Sequence, residues 1–173
     1  MSQVLEKIRQ RRSVRSYKSD MVPAQLIDQI IEAGLYAASG MNRQETIIVS
    51  VTNREVRDAL SKTNASIMGA NTDPFYGAPV VLIVLAKKSC HTGIYDGSLV
   101  MGNLMLAAHE LGVGSCWIHR AKETFEIPEW KKWLHSIGVE GEYEGVGHCI
   151  LGYAAGETAK DMPRKEKRIY RAD

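Results

Sequence analysis

Residues 80–85 read Val-Val-Leu-Ile-Val-Leu, six apolar residues with no polar residue between them. A strand with one face in water would alternate apolar and polar residues, so this run predicts a strand that is covered on both faces. We therefore place it at the centre of a sheet. The rest of the chain must then supply helices for both sides of that sheet.

Shorter patterns on either side of this run predict the remaining elements. Strands are expected at 46–51, 115–118 and 146–153, and helices after Ser2, Pro23 and Asn53 and at 96–111 and 129–137. The helix after Pro23 should fade near Ser39-Gly40, and the polar stretch 64–74 is expected to be a loop. Because the elements lack regular βαβ spacing, the pattern favours an α+β fold with helices packed around a sheet.

The predicted helix 96–111 is apolar on nearly all sides and stops at Gly112, a suitable C-cap glycine. A helix without a polar face is expected to be buried, either centrally or against a partner chain.

The chain has 173 residues, of which 45% are hydrophobic and 24% charged, and this predicts a single domain over residues 1–173. Its three cysteines, Cys90, Cys116 and Cys149, are widely spaced and fit a reducing compartment. The N-terminus lacks the apolar stretch of a signal peptide, and no window is long and apolar enough for a membrane span. We therefore expect a cytoplasmic protein with no membrane partner.

The net charge of +2 is unevenly distributed, because residues 7–18 hold six Lys and Arg residues and no acid, and the end of the chain from 160 is also basic. A nucleic-acid binder using both basic ends is one possible class of protein. Against it, the overall charge is small, and Tyr17 and Tyr170 are the only aromatic residues among the basic ones. We expect no nucleic-acid partner.

Two short segments combine side chains suited to ligand binding. Residues 11–15 read Arg-Arg-Ser-Val-Arg, and guanidinium groups bind phosphate oxygens in two-point contacts, although the same cluster could simply be a solvated helix end. Residues 39–44 offer a small residue, a glycine and carboxamides that could face a flat heteroaromatic edge, or could form an ordinary helix-ending turn. Each segment alone leaves both interpretations open.

Other common site types find no support in the sequence. No glycine-rich dinucleotide motif or P-loop is present. The Cys and His residues near 90, 116–119 and 148–149 lack zinc-finger spacing, so we expect no metal, and instead buried thiols and imidazoles with hydrogen-bond partners. No catalytic triad stands out, and Asp96, Glu126 and Glu129 are interpreted as capping or surface acids. If the protein is an enzyme, a cofactor is expected to carry the chemistry, and no side chain is predicted to be catalytic.

Taken together, four segments resemble the nitroreductase family. They are R-R-S-V-R at 11–15, A-S-G-M-N-R-Q at 38–44, G-V-G-S-C-W-I at 112–118, and the basic tail after L-G-Y at 151–153. Their order and spacing cover nearly the whole chain. The resemblance implies an α+β fold with a central, mainly antiparallel sheet flanked by helices, in an intertwined homodimer that holds FMN between residues of both subunits.

The resemblance also implies roles for individual residues. Arg11 and Ser13, with neighbouring Arg12, would hold the FMN phosphate together with Arg164 or Lys165 of the tail, and Arg15 would face the pyrimidine edge of the flavin. The other implied FMN contacts are Ser39, Gly40, Met41, Asn42, Gln44, Asn71, Trp117, Ile118 and His119. Phe75 and Tyr76 are expected to contact substrate, or else to pack in the core or loop.

The implied activity is hydride transfer from NADH or NADPH to FMN, followed by electron transfer in a ping-pong cycle to a nitroaromatic, quinone or similar small acceptor. The sequence departs from the family pattern at Ala38, where proline is common, and at Glu45-Thr46, where Pro-Trp is common. These departures concern the substrate side more than FMN binding. A flavin-binding sensor or storage protein without turnover is the alternative of another class.

Overall fold

The apolar run at 80–85 lies inside a four-stranded antiparallel sheet in the computed structural model, which describes residues 2–156 and 160–172. The strands are β1 (Thr46–Val51), β2 (Val80–Lys87), β3 (Gly114–Ile118) and β4 (Tyr143–Gly152). Their order is β1-β2-β4-β3, and all neighbours are antiparallel. The α+β prediction and the internal position of the apolar strand are therefore confirmed.

Helices cover both faces of this sheet. They are α1 (Gln3–Gln10), α2 (Ala24–Leu35), α3 (Arg54–Met68), α4 (Gly93–Glu110), α5 (Ala121–Glu126) and α6 (Pro128–Ser136). Asn53 caps α3 as predicted, because its side-chain oxygen accepts a hydrogen bond of 3.0 Å from the Val56 backbone nitrogen. Gly112 follows α4 with φ +72°, a conformation that glycine adopts readily.

The pleat of β2 divides the core into two clusters. Leu82 and Val84 pack with residues of α2 and α4 on one face. Val81 and Ile83 pack on the other face, with residues of α3, α5 and α6. Both clusters are buried, as the uninterrupted apolar run predicted.

A close approach of β4 to α5 depends on glycine at position 145. A Cβ atom there would lie 2.2 Å from the Ala121 carbonyl carbon and oxygen, so no other residue fits without movement of the helix. The pairing of β2 with β4 shifts register at this point, between Val84 and Leu85. Glycine at 145 therefore allows α5, the element that follows β3 in the chain, to pack directly on the sheet.

Two sequence expectations were wrong in their details, and one helix was missed. Helix α2 ends at Leu35 and does not reach Ser39. Helix α3 continues to Met68 through part of the predicted loop, because Asn64 is fully buried and donates to the His119 carbonyl oxygen at 2.8 Å. Helix α5 was not predicted at all.

The expectation for residues 96–111 is met on one side of α4 only. Val100, Met101 and Leu104 are buried against the sheet. Leu99 is 51% exposed in the single chain, and Tyr95, just before the predicted range, is 74% exposed. The apolar surface that the sequence assigned to burial therefore includes a face that no described residue of the same chain covers.

Candidate active site

The segment 11–15 runs along the free edge of β3. Ser13 forms a parallel bridge with Ser115, and the Val14 backbone nitrogen donates to the Ser115 carbonyl oxygen at 2.9 Å. The Val14 side chain is buried and fixes the segment to the sheet. Its arginines are therefore held on an ordered backbone, as expected for ligand-binding residues.

The Arg11 side chain has a buried nitrogen that lacks a hydrogen-bond acceptor in the described part of the chain. Its Nη1 atom is buried and has no hydrogen-bond partner within residues 2–156 and 160–172. A buried guanidinium nitrogen without an acceptor is costly, and an anion supplied from outside the chain would remove that cost. Arg11 thus fits an oxygen of a phosphate group.

Positive charge is concentrated around Arg11. Burial, followed by the nearby charges of Lys7, Arg11 and Arg12, lowers the pKa of His109 below its usual value. A cleft of about 230 Å³, which we call the cationic cleft, opens beside His109, and Arg11 itself does not line it. Its lining residues are Gln10, Arg12, Val14, His109, Gly112, Val113, Gly114, Ser115 and Ala154. Its electrostatics favour an anionic ligand.

Arg12 is engaged within the chain. Its Nη1 donates to the backbone oxygens of Arg9 at 2.5 Å and Arg11 at 2.9 Å, and its guanidinium forms an ion pair with Asp161 of the tail. These contacts occupy guanidinium nitrogens of Arg12 that the sequence analysis had expected to bind the FMN phosphate. Arg11 is therefore the better candidate for direct phosphate contact.

The second predicted segment forms a tight loop beside the start of α4. A short 3₁₀ turn spans Gly40–Asn42, and the Gln44 backbone nitrogen donates to the Ser39 hydroxyl at 3.1 Å. The Gly40 backbone nitrogen donates to Asp96 Oδ1 at 3.1 Å. Met41 and Asn42 both have positive φ, and both side chains are exposed. The loop presents the predicted polar groups to solvent.

Asp96 anchors this loop, and the sequence did not reveal it. The residue is only 5% exposed and also accepts a hydrogen bond of 2.9 Å from the Thr92 hydroxyl. The expectation of a surface acid was wrong, because Asp96 is buried and bonds to a residue 56 positions away, although it does lie in the first turn of α4. An acid in the first turn of a largely apolar helix was the available signal.

The structure separates these two groups within one chain. Arg11 and Ser13 lie at the β3 edge, whereas residues 39–44 lead into β1 at the opposite edge. The edge strands β1 and β3 are separated by three interstrand spacings, which amount to about 14 Å. Along α4, the loop is tied to Asp96 and the cationic cleft to His109, and these positions are about 20 Å apart at 1.5 Å per residue.

Residues 117–119 lie at the end of β3 with mixed exposure. Trp117 is half-buried against Gly147, where a Cβ atom would come within 2.4 Å of the indole nitrogen. Ile118 is 8% exposed, and His119 is exposed. This placement leaves the stretch accessible mainly through His119 and the partly exposed Trp117.

The predicted substrate residues differ in exposure. Phe75 is 0% exposed, with its ring centroid 5.3 Å from that of His148 and 5.5 Å from the Arg57 guanidinium carbon. Its assignment to substrate contact was wrong, because the ring belongs to the core. Tyr76 is 41% exposed, and Asn71 is exposed beside α3.

The tail residues Arg164 and Lys165 are exposed and do not line the cationic cleft. The Arg164 Nη1 atom donates to the Met162 carbonyl oxygen at 3.4 Å. What joins the tail to the cleft is the ion pair of Asp161 with Arg12.

The cysteines Cys90, Cys116 and Cys149 are buried free thiols. Within the described ranges, no group of three His, Cys, Asp or Glu residues could hold a metal ion. His148 corrects one expectation, because both of its buried ring nitrogens lack a hydrogen-bond partner in the described part of the chain. None of the helices described here has the length and apolar character of a membrane span.

Comparison with known proteins identifies the family. The model of the nitroreductase family matches residues 8–74 and 62–153. A protein of Methanothermobacter thermautotrophicus assigned as an NADH dehydrogenase/NAD(P)H nitroreductase is 32% identical over 139 residues, which cover 73% of this chain and 70% of the relative. The NAD(P)H-dependent FMN reductase of Bacillus subtilis is 25% identical over 187 residues, covering 92% and 69%.

A solved structure shows the same fold over its full length. The nitroreductase of Bacteroides fragilis, crystallised with bound FMN, superposes with a TM-score of 0.89 and 31% identity, and the match covers 100% of both chains. Family model, sequence relative and structure agree, and this chain belongs to the nitroreductase family.

Proposed function

We propose that this chain is an FMN-dependent oxidoreductase that takes hydride from NADH or NADPH. In a ping-pong cycle, it passes the electrons to a nitroaromatic, a quinone or a similar small acceptor. The observation that carries the proposal is the buried, unpartnered Arg11 Nη1 beside a cationic cleft, in a family member whose Bacteroides fragilis relative holds FMN. In this proposal residues 1–173 form one FMN-binding domain, and the three free thiols fit a cytoplasmic protein.

Arg11 and Ser13 bind the FMN phosphate in this proposal. Arg11 supplies a charged donor that has no acceptor within the described chain, and Ser13 lies two residues further along the same fixed segment. Hydrogen bonds from a guanidinium to a phosphate are charge-assisted and directional. Arg164 and Lys165 add positive charge from the tail.

The loop 39–44 acts in the site of the partner subunit. Its distance from Arg11 across the sheet and along α4 is too great for both groups to enclose the same end of one small ligand in a single chain. A second copy can bring its own loop to the first copy's cationic cleft. The proposed enzyme is therefore a homodimer with two equivalent sites, each built from both subunits.

Exposed apolar side chains support the same homodimer. Helix α1 has only eight residues and buries none of them, and its Val4, Leu5 and Ile8 are 60%, 50% and 53% exposed. Helices of this length are marginally stable without packing. Coverage of α1 and of the exposed side of α4 by a partner would bury both.

FMN, when bound, accepts hydride from the nicotinamide and supplies the electrons for the acceptor. The protein provides binding, orientation and charge. Arg15 is exposed, three residues beyond Arg12, and its guanidinium stabilises negative charge at the pyrimidine edge. The carboxamides of Asn42 and Gln44, linked by a hydrogen bond of 3.0 Å, offer further donors and acceptors. One cavity then serves the nicotinamide and the acceptor in turn.

The test begins with the visible spectrum of the FMN-reconstituted protein, followed by anaerobic addition of NADH or NADPH. Flavin bands that bleach support the oxidoreductase and identify the donor. Bands that persist contradict hydride transfer and favour a sensor or storage protein. If no FMN is retained, the proposal fails, and binding to nucleic acid at varied salt becomes the next measurement.

Two variants test the phosphate site directly. Arg11→Gln should raise the Kd for FMN by about 10- to 100-fold, since it removes a charged hydrogen bond. Arg54→Gln removes the same charge from a side chain that is 93% exposed on α3, and it should leave the Kd unchanged. Equal affinities for both variants would contradict the assignment. Initial-rate plots that intersect, where parallel lines are expected, would contradict the ping-pong cycle.

A further inference from the structure

One ion pair ties the basic tail to the proposed phosphate site. Asp161 lies in the basic tail beyond β4 and pairs with the guanidinium of Arg12. The Arg12 side chain is 18% exposed, whereas that of Asp161 is 70% exposed. The tail is therefore attached at its acidic residue to a well-packed arginine.

Arg12 is itself rigidly held. Its two hydrogen bonds to the carbonyl oxygens of Arg9 and Arg11 fix the guanidinium against the end of α1. Because Arg12 precedes Ser13 and follows Arg11, its position is coupled to the segment that we assign to the phosphate. A group bound to Arg12 is thus placed beside that segment.

We propose that the Arg12–Asp161 pair is a latch that holds the basic tail where Arg164 and Lys165 can reach the cofactor phosphate. This inference rests on the proposed FMN site and assigns a positioning role to Arg12 and Asp161. Three or four extended residues beyond Asp161 span about 10 to 14 Å. That span brings both cations within reach of the Arg11 region.

The spacer between the latch and the cations is short and stiff. Its sequence is Met162-Pro163, and proline fixes its own φ and restricts the preceding residue to extended conformations. A short, stiff tether raises the effective concentration of the groups at its end. The latch therefore keeps Arg164 and Lys165 near the proposed phosphate site as hydrogen-bond donors, and the rest of the tail does not have to pack against the protein.

If Asp161 acted only through its charge, neutralising it would change the FMN affinity in the opposite direction from that expected for a latch. A carboxylate near a phosphate site repels the ligand, so its neutralisation should tighten binding if Asp161 acts only through its charge. If Asp161 is a latch, neutralisation should weaken binding, because the tail cations are released. The sign of the change in affinity therefore separates the two roles.

The experiment measures FMN affinity of the full-length apoprotein by fluorescence quenching, for wild type, Asp161→Asn, Asp161→Glu and Glu166→Gln. Glu166→Gln removes the same charge from the same tail without touching Arg12, and it should bind FMN as tightly as wild type or slightly more tightly. Asp161→Asn should raise the Kd by about tenfold, with an unchanged melting temperature. Asp161→Glu keeps the carboxylate and should restore most of the affinity.

Trypsin digestion of the apoprotein gives a second readout that does not involve FMN. Release of the latch should speed cleavage after Arg164 and Lys165 in Asp161→Asn, whereas Asp161→Glu should behave like wild type. Neither substitution alters the residues beside these two bonds, and cleavage after Lys160 is left out of the comparison because residue 161 adjoins it. Equal or tighter FMN binding by Asp161→Asn, together with unchanged digestion, would overturn the latch and leave the proposed function intact. Failure of the wild type to bind FMN would overturn both.

Discussion

His148 should make the fold sensitive to mild acid. Its ring is completely buried on β4, with centroids 5.3 Å from Phe75 and 6.2 Å from Phe125. Burial lowers the pKa of His148 from 6.5 to about 4, although the nearby backbone of His119 and Ile118 acts in the opposite direction. No carboxylate of the described residues acts on the ring, so a protonated ring in this position would be a buried charge without a counter-charge.

The sign of the effect follows from proton linkage. Between pH 6.5 and 4 the unfolded chain binds a proton that the folded chain excludes, so the free energy of unfolding falls as the pH falls through this window. With a pKa of about 4 in the folded state, the loss attributable to His148 is about 2 kcal/mol between pH 7 and pH 5. From about one unit above pH 6.5 the contribution is constant, because the ring is then neutral in both states.

The assay is urea unfolding of the apoprotein at pH 7, 6 and 5, at one protein concentration, for wild type and His148→Leu. Leucine is of similar size, does not titrate and suits the aromatic surroundings. The variant should lose about 2 kcal/mol less than wild type between pH 7 and 5. His109 titrates in both proteins, so its contribution cancels, and Asp73 has a lowered pKa that acts below this window. Parallel losses in the two proteins would refute the reasoning.

Three further changes have defined outcomes. Gly145→Ala should lower the free energy of unfolding by about 3 kcal/mol or more in thermal denaturation, since its Cβ would overlap the Ala121 backbone, whereas Gly156→Ala, with open space around it, should have little effect. Asn53→Ala should cost about 1 kcal/mol in urea unfolding through loss of the cap on α3, and an unchanged midpoint would contradict the capping role. Arg15→Gln should lower the two-electron reduction potential of bound FMN by about 30 mV, measured against a reference dye, with a smaller effect on FMN affinity than Arg11→Gln.

The sheet could be predicted from the sequence because its signals are local. Strand β1 matches the predicted range 46–51, and β2 extends the predicted apolar run by two residues. In both, β-branched and aliphatic residues define the element without help from distant contacts. The cap at Asn53 is likewise a signal contained within four residues.

The errors in the fold arise where a distant contact decides the outcome. The polar residue Asn64 looked like part of a loop, yet its burial is supported by the His119 carbonyl oxygen, 55 residues away. Helix α5 has only six residues and little apolar periodicity, and its position depends on the absence of a side chain at Gly145. Phe75 looked available to a substrate, but the ring fills space beside His148. Local patterns carry none of this information.

The arrangement of the candidate site also depends on distances that local sequence patterns do not contain. The sequence marks 11–15 and 39–44 as ligand-binding segments but gives no distance between them. In the structure the first segment lies with His109 and β3, and the second with Asp96 and β1, at opposite ends of α4 and opposite edges of the sheet. In the proposed function both segments contact one FMN, and within a single chain they lie too far apart to enclose the same end of it. The same molecule exposes apolar side chains on α1 and α4. The proposed homodimer accounts for both observations, because the exposed apolar surface and the second half of the site would then belong to one interface.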